Sequence, residues 1–328
     1  MKRARNLLVA GAGLALALIL PMAVDANGYA VRVLTLVLLF AAMAQAWNIV
    51  GGLASQMSLG HAAFFGLGAY TSTLLLIHFG LSPWIGMIAS ALVGGAAAFA
   101  LSLPTMRLKG HYFALATLAF AEVFRVAANA WSSLTGGPVG LSIPYGEPSF
   151  LMMQFQDTRS YYYLALSAFA VVTVVFAAIK FSSLGYRLRA IRENQAAAEV
   201  VGVQTTKVKI QAAVISGCLT AALGTIYAQL NFFFDPDSVF AALQISIRVA
   251  LITIVGGIGT VVGPLVGAVF IIPLEELTNV LFADKAAGLS QLVYGLLLIV
   301  IVLIQPRGLA ALVGSALARR PKTSGAGT

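Results

Sequence analysis

The sequence has little charge and a single cysteine. Only 9% of its 328 residues are Asp, Glu, Lys or Arg, whereas a soluble globular domain averages about 25%. Hydrophobic residues make up 60% of the chain. The single cysteine, Cys218, permits no internal disulfide and is expected to pack as a small hydrophobe. This composition excludes an ordinary soluble domain and favours a membrane protein.

Motifs for nucleotide binding, metal binding and covalent catalysis are missing as well. The sequence has no GxxxxGK[ST] phosphate loop, and the glycine after Gly257-Ile258-Gly259 has the wrong spacing for a dinucleotide fingerprint. There is no GxSxG nucleophile motif. The three histidines are dispersed, at His61, His78 and His111. We therefore expect no ATPase site, no metal site, no catalytic residues and no enzymatic activity in this chain.

Long apolar stretches recur along the whole chain and predict an all-α polytopic membrane protein. A spanning helix needs about 20 apolar residues, because its backbone must satisfy its own hydrogen bonds in lipid. Hydropathy indicates about ten such helices. Their predicted bounds are Leu7–Met22, Val31–Val50, Leu59–Ile77, Pro83–Pro104, Tyr112–Trp131, Tyr162–Ile179, Ile210–Leu230, Leu243–Val255, Val262–Val280 and Leu289–Ile304.

The positions of the charges predict the orientation in the membrane. The net charge of +9 does not indicate nucleic-acid binding, because the cations lie in short loops between spans, as the positive-inside rule requires. With a cytoplasmic N-terminus, most cations are cytoplasmic, and both termini are on that side. Arg248 is expected near the outer end of the eighth span, where it can snorkel. The cations left outside or within spans are Arg32, Arg125, Arg159, Arg248 and Lys285.

The N-terminus allows a second interpretation. MKRAR followed by an apolar run and VDA also fits a cleaved signal peptide. Cleavage would leave nine spans. The length of the apolar run favours a retained first span.

A polar segment, residues 181–208, interrupts the apolar spans on the predicted cytoplasmic side. A substantial polar segment of this kind in a membrane protein is usually a docking site for another protein. Ala196, Ala197 and Ala198 favour a short helix that Gly202 is placed to end. The alternative for Arg187 and Arg189 is anchoring at lipid headgroups. The candidate docking residues are Arg187, Arg189, Arg192, Glu193, Asn194, Glu199 and Gly202.

Two glycine-rich loops resemble each other. Val50-Gly51-Gly52 and Val255-Gly256-Gly257 each follow an inward-running span and precede an outward-running one. This similarity suggests two parallel internal repeats, a common feature of transporters. The alternative is chance, since glycine is frequent in membrane helices. Small residues let helices pack closely, and the candidates for this role are Gly60, Gly66, Gly256, Gly257 and Gly263.

Five polar residues within or beside the spans are candidates for a translocation pathway. Glu122 and Arg125 are three residues apart, so they share a helix face and can form an ion pair. Charges at membrane depth usually face protein or water rather than lipid. Gln45, Asn48 and His61 flank the first glycine-rich loop. Each of the five can instead have a structural role, as an ion pair or as interhelical hydrogen bonds.

Several long strings of this sequence resemble one family. GGLASQMSLGHAAFFGLGAY, RLKGHYFALATLAFAEVFR, the polar segment RAIRENQAAAEVVGV and VALITIVGGIGTVVGPLVGA are similar to branched-chain amino acid ABC transporter permeases, of the type called LivM. The C-terminal string IVLIQPRGL looks like the end of that family's sequences. The resemblance covers roughly residues 45–309.

The resemblance implies a permease subunit in the bacterial inner membrane. Such a subunit pairs with a second homologous permease and is driven by two ATP-binding subunits, so that ATP is bound on partners and the permease has no cofactor. A periplasmic or lipid-anchored binding protein delivers the amino acid. Residues 1–310 would form the permease domain, with 181–208 as the segment that couples to the ATPases, and 311–328 a flexible basic tail.

The resemblance leaves other transporters open. The chain could serve a sugar, urea or amide ABC importer, which shares the same general plan. A secondary transporter is a further alternative, and it would need a carboxylate in the spans for ion coupling, for which Glu122 is the clearest candidate.

Overall fold

The computed structural model describes residues 17–23, 25, 28–108, 110–282 and, beyond these, the isolated positions 288, 289, 292, 293, 295, 296, 299, 303 and 309. Most of the predicted first span, Leu7–Met22, lies outside the described residues. The same holds for the predicted tenth span, Leu289–Ile304, and for the tail at 311–328.

Eight helices are long and apolar enough to cross a membrane, and they correspond in order to the eight predicted spans between these two. The seven continuous ones are α1 (Tyr29–Val50), α2 (His61–Phe79), α3 (Pro83–Thr105), α4 (His111–Ala130), α5 (Thr158–Phe181), α8 (Thr205–Asn231) and α10 (Gly263–Phe282). Two shorter helices, α6 (Ser183–Glu193) and α7 (Gln195–Val200), form the polar segment. The prediction of an all-α polytopic membrane protein is confirmed.

The eighth predicted span begins earlier than its hydropathy indicates. It comprises a short helix at Pro236–Val239, a π-helical turn at Leu243–Ile247 and α9 at Arg248–Gly256. Together these cover Pro236–Gly256. The predicted start at Leu243 is wrong, because Asp235 and Ser238 cap each other's backbone N–H groups and start a helix in a stretch that reads as a polar loop.

Helices α1 and α8 are at the centre of the bundle. Helix α1 packs against α5, α8, α9 and α10. Of its most apolar 18-residue stretch, 83% is buried inside the bundle. Helix α8 packs along α2 and α3. Glycines allow this close packing, since Gly68 lies directly against the backbone of Ala221 and Gly94 against that of Gly217.

The two ends of the bundle differ. One end, called here the polar end, carries α6, α7 and the glycine-rich loops at 51–60 and 257–262. The other end, called here the β-strand end, carries β1 (Leu141–Ser142) paired antiparallel with β2 (Phe233–Phe234). Short helices at Leu20–Ala23, Ser132–Thr135 and Gly137–Val139 complete the described secondary structure.

Candidate functional site

The polar segment folds into two short helices with a defined break. Asn194 adopts an extended backbone conformation between them, and its Oδ1 accepts a hydrogen bond from the backbone N–H of Ala197 at 3.1 Å. This is an N-cap for α7. Helix α7 ends at Val200, and Gly202 has a φ of +88°, so the helix ends where the sequence predicted.

One face of this segment is attached to the bundle. Leu188, Ile191 and Ala198 are buried in a cluster with Phe176 and Val208 of the adjoining spans. Glu199 contributes to the attachment at the far end, because its Oε1 accepts hydrogen bonds from Thr205 at 2.7 Å and Gln195 at 2.9 Å. The segment is therefore packed and hydrogen-bonded against the polar end of the bundle.

The opposite face of the segment is exposed. Arg187, Glu193 and Asn194 are exposed. Two apolar residues are exposed beside them, Val200 at 87% and Val201 at 78%. The sequence analysis did not single out these valines, although two adjacent apolar residues before a glycine in a polar segment were a usable signal. Exposed apolar side chains next to charged ones are typical of a protein-docking surface.

Basic side chains connect the polar segment and the adjoining end of α5 to the glycine-rich loops. Arg192 Nη1 donates to the backbone oxygen of Gly52 at 3.0 Å. Lys180, at the end of α5, donates through Nζ to the backbone oxygen of Gly259 at 2.7 Å. Arg189 instead bonds within its own region, to Gly185 and Lys180 carbonyls at 3.3 Å.

Asn48 joins the two glycine-rich loops to each other. Its Oδ1 accepts the backbone N–H of Gly259 at 2.8 Å, and its Nδ2 donates to the backbone oxygen of Thr260 at 2.9 Å. A Cβ on Gly52 would overlap Asn48 Oδ1, so only glycine fits there without a shift. The ends of α1, α9 and α10 are consequently fixed to one another, to the polar segment through Arg192 and to the end of α5 through Lys180.

The other two residues near the first loop are enclosed in the bundle. His61 Nε2 lies 2.8 Å from Ser216 Oγ, which itself donates to the backbone oxygen of Ala46 at 2.7 Å, so Nε2 is the donor to Ser216. Gln45 is completely buried, and its amide has no hydrogen-bond partner among the described residues. A pathway role for Gln45, Asn48 and His61 stays a prediction. All three side chains are buried within the helix bundle.

Glu122 and Arg125 form the ion pair that their spacing suggests. Arg125 Nε lies 3.0 Å from both Glu122 oxygens, and its Nη1 reaches Asp237 of the Pro236–Val239 helix. Asn129 Nδ2 donates to Asp237 at 3.4 Å. The side chains of Glu122 and Arg125 remain 44% and 32% exposed. Helix α4 thus carries a partly exposed charged network in the half nearer the β-strand end.

Arg248 does not snorkel as the sequence predicted. Its Nη2 forms an ion pair with Glu275 Oε1 at 2.5 Å, and its guanidinium lies 5.0 Å from the centre of the Phe40 ring. The prediction was wrong because the eighth span begins at Pro236, which places Arg248 well inside it. The pair links α9 to α10.

Four of the candidate packing glycines, Gly60, Gly66, Gly256 and Gly263, lie at close approaches. A Cβ at Gly60 would lie 3.1 Å from Leu101 Cδ2, and one at Gly66 would overlap the Phe240 ring. A Cβ at Gly256 would overlap the backbone oxygen of Gly263, and one at Gly263 would overlap the backbone oxygen of Gly257. Gly257 itself has a φ of +131°. A side chain at Gly66 would displace a ring, one at Gly256 or Gly263 would displace backbone, and one at Gly257 would be strained by its positive φ.

These features define a multi-pass membrane protein whose spans are organised around two linked glycine-rich loops and a polar segment. A family model described as the permease component of branched-chain amino acid transport systems matches residues 29–302. The chain belongs to this family. No solved structure matches it.

Named relatives include both permease types of that system. The high-affinity branched-chain amino acid permease protein LivM of Salmonella typhimurium is 29% identical over 303 residues, which cover 85% of this chain and 69% of that protein. LivM of Escherichia coli is 28% identical over the same shares. LivH of Salmonella typhimurium is 21% identical over 286 residues, covering 82% of this chain and 90% of LivH.

Proposed function

We propose that this chain is one of two permease subunits in an ATP-driven importer of branched-chain amino acids in the bacterial inner membrane, with the polar end facing the cytoplasm. A second, homologous permease completes the pathway, two ATP-binding subunits supply the energy, and an external binding protein delivers the amino acid. The family membership and the similarity to both LivM and LivH support this assembly.

The observation that carries the proposal is the connection between the polar segment and the glycine-rich loops. The exposed face of the polar segment presents Glu193, Val200 and Val201 to a partner. Its inner face holds Gly52 through Arg192, and Asn48 links that loop to the second one. A displacement of the docked segment would therefore act on the ends of α1, α9 and α10 together.

The pathway is proposed to run along α4, between this chain and the second permease. Only 22% of the most apolar 18-residue stretch of α4 is buried within the chain. This is the smallest buried share among the eight described helices that are long enough to cross a membrane. The partly exposed Glu122 and Arg125 on this helix would be costly in contact with lipid. A facing permease and a water-filled path between the two would remove that cost.

Ion-driven transport has less support. Among the described spans, Glu122 and Glu275 are both in ion pairs, and Glu276 accepts a hydrogen bond from the Tyr29 hydroxyl at 2.6 Å. A carboxylate that is bound in this way is not poised to exchange protons or sodium ions. The energy is then expected to come from the partner ATPases.

Docking can be tested by co-purification from mild detergent. The variant Val200→Asp/Val201→Asp adds two charges to the exposed face without touching the contacts that hold the segment. It should still insert and purify but lose the ATP-binding subunits. The matched control is Val139→Asp, 79% exposed at the opposite end of the bundle, which should retain them. Retention of the ATP-binding subunits by the double variant would contradict the docking role.

A further inference from the structure

A cavity of about 480 Å³ lies at the polar end, between α6, the turn that follows α7 and the first two turns of α8. Its volume is in the range of small-molecule sites. Of its lining residues, only Val201 also belongs to the surface that the docking test changes. The charged network on α4 and the contacts with the glycine-rich loops involve none of them, so the proposed function leaves this cavity without a role.

Two cations line the cavity from different helices. Arg187 belongs to α6 and Lys207 belongs to α8, and both are exposed. Within the described part of the chain, neither side chain makes a hydrogen bond or an ion pair. None of the lining residues is Asp or Glu. Two cations on one cavity with no acidic group to balance them favour an anionic ligand.

The polar residues of α8 that line the cavity share one face of the helix. Gln204, Lys207 and Gln211 are spaced by three and four residues, and all are exposed. Over this stretch the helix rises about 10 Å, which is enough to cross the headgroup layer of one leaflet, about 5–7 Å thick. Further along the same face, Ile215 and Cys218 are apolar and partly exposed. The face therefore changes from polar to apolar as a spanning helix does between headgroups and acyl chains.

Exposed aromatic side chains accompany these cations. Tyr186, the neighbour of Arg187 in α6, is 62% exposed, and Phe181 at the end of α5 is 67% exposed. The guanidinium of Arg189 lies 4.5 Å from the centre of the Tyr186 ring. Exposed aromatic rings beside cations at the end of a membrane bundle are typical of the membrane–water interface. The interface is therefore expected to cross α6 and the start of α8.

The rest of the cavity lining favours a lipid over a soluble anion. It includes three valines, Val201, Val203 and Val208. An apolar flank of this kind suits the glycerol backbone and first acyl carbons of a lipid, whereas a free phosphate ion would make no use of it.

We propose that this cavity binds the headgroup phosphate of an anionic phospholipid. Arg187 and Lys207 would hold the phosphate, the amides of Gln204 and Gln211 would bond the rest of the headgroup, and the acyl chains would follow the apolar face of α8. Of the two roles that the sequence leaves open for Arg187, this is the lipid anchor. Only the choice of leaflet, the cytoplasmic one, rests on the proposed function.

The test is thermal unfolding of the purified full-length chain in detergent, titrated with dioctanoyl phosphatidylglycerol. A ligand that binds only the folded state raises the unfolding midpoint. We expect a saturable rise with this lipid and a half-saturating concentration at least about fivefold higher for the zwitterionic dioctanoyl phosphatidylcholine. Glycerol 3-phosphate, a soluble source of the same phosphate group, should produce no rise and should not compete.

Variants assign the effect to the cavity. Arg187→Gln/Lys207→Gln should raise the half-saturating concentration of phosphatidylglycerol about 20-fold, because each cation beside an anionic lipid contributes a factor of about five. Both positions are exposed, so the midpoint without lipid should not change. Arg187→Lys/Lys207→Arg keeps both charges and should bind like the wild-type chain. The control Arg32→Gln/Arg107→Gln removes two exposed cations elsewhere and should leave the titration unchanged.

Four results would overturn the proposal. These are equal half-saturation by both lipids, a wild-type titration in Arg187→Gln/Lys207→Gln, competition by glycerol 3-phosphate, which would indicate a site for soluble phosphates, and an unchanged titration together with loss of the ATP-binding subunits in that double variant. The last result would assign the cavity to the docking surface. The titration uses the chain alone and the docking test changes Val200 and Val201, so failure of this inference and failure of the proposed function are distinguishable.

Discussion

The side-chain oxygen of Asn48 accepts a hydrogen bond from the backbone N–H of Gly259, 211 residues further along the chain. The same amide donates to Thr260, so one side chain closes the two glycine-rich loops on each other. The polar segment is attached to the first of these loops through Arg192, and the adjoining end of α5 is attached to the second through Lys180. Asn48 is thus the centre of the connection between the polar segment and the spans.

Asn48→Ala should destabilise the protein. The backbone groups of Gly259 and Thr260 lose their partners, and unmade buried hydrogen bonds cost about 1–3 kcal/mol. We expect a lower midpoint of thermal unfolding in detergent. Gln204→Ala, an exposed position with no side-chain cap bond, is the control and should leave the midpoint unchanged. Equal midpoints for both variants would show that the Asn48 amide does not hold the loops.

Arg192→Gln should uncouple ATP hydrolysis from transport. The variant removes the bond to Gly52 but leaves the exposed valines in place, so the ATP-binding subunits should still co-purify. Uptake per ATP hydrolysed by the full complex should fall, because movement of the polar segment is then no longer passed to the first loop through this bond. Arg107→Gln removes an exposed charge near the same end and should have little effect. Unchanged uptake per ATP in Arg192→Gln would count against the coupling route.

The sequence predicts the spans well because each one is a long, locally visible apolar run. It misplaces the start of the eighth because Asp235-Pro236-Asp237-Ser238 is polar, and only the capping contact between Asp235 and Ser238 makes it helical. The helical polar segment is also predictable, since its composition differs sharply from its surroundings. In each case the signal lies within a few neighbouring residues.

The contacts that join the polar segment to the glycine-rich loops cannot be predicted from local sequence patterns. Asn48 and Gly259, and Arg192 and Gly52, are far apart in sequence, and no local pattern specifies that they meet. Arg248 illustrates the consequence. Its partner Glu275 lies on another helix, so the sequence alone suggested a snorkelling side chain instead of an ion pair.

Gly66→Leu should reduce stability and expression. Even a Cβ at this position overlaps the Phe240 ring, which is stacked between Tyr70 and Phe124 and cannot move aside freely. Overpacking of this kind typically costs about 1–3 kcal/mol. The control Ala96→Leu adds a similar volume at an exposed position of α3. Wild-type yield and unfolding midpoint in Gly66→Leu would rule out this close contact.

The Arg248–Glu275 pair can be measured by a double-mutant cycle. Arg248→Met or Glu275→Leu alone leaves a charge inside the spans without its partner, which should be destabilising because charges at membrane depth are costly. The double variant removes both charges and should be less destabilised than the sum of the single ones. Purely additive effects on the unfolding midpoint would mean that the two side chains do not interact.

The central claim is that this chain transports only as part of an ATP-driven assembly. The most direct measurement is uptake of radiolabelled leucine into proteoliposomes. The purified chain alone should neither hydrolyse ATP nor accumulate leucine under an imposed proton or sodium gradient. Adding the second permease, the ATP-binding subunits and the binding protein should produce ATP-dependent uphill uptake. Accumulation by the lone chain under an ion gradient would contradict the account, and Glu122 would then be the first carboxylate to replace.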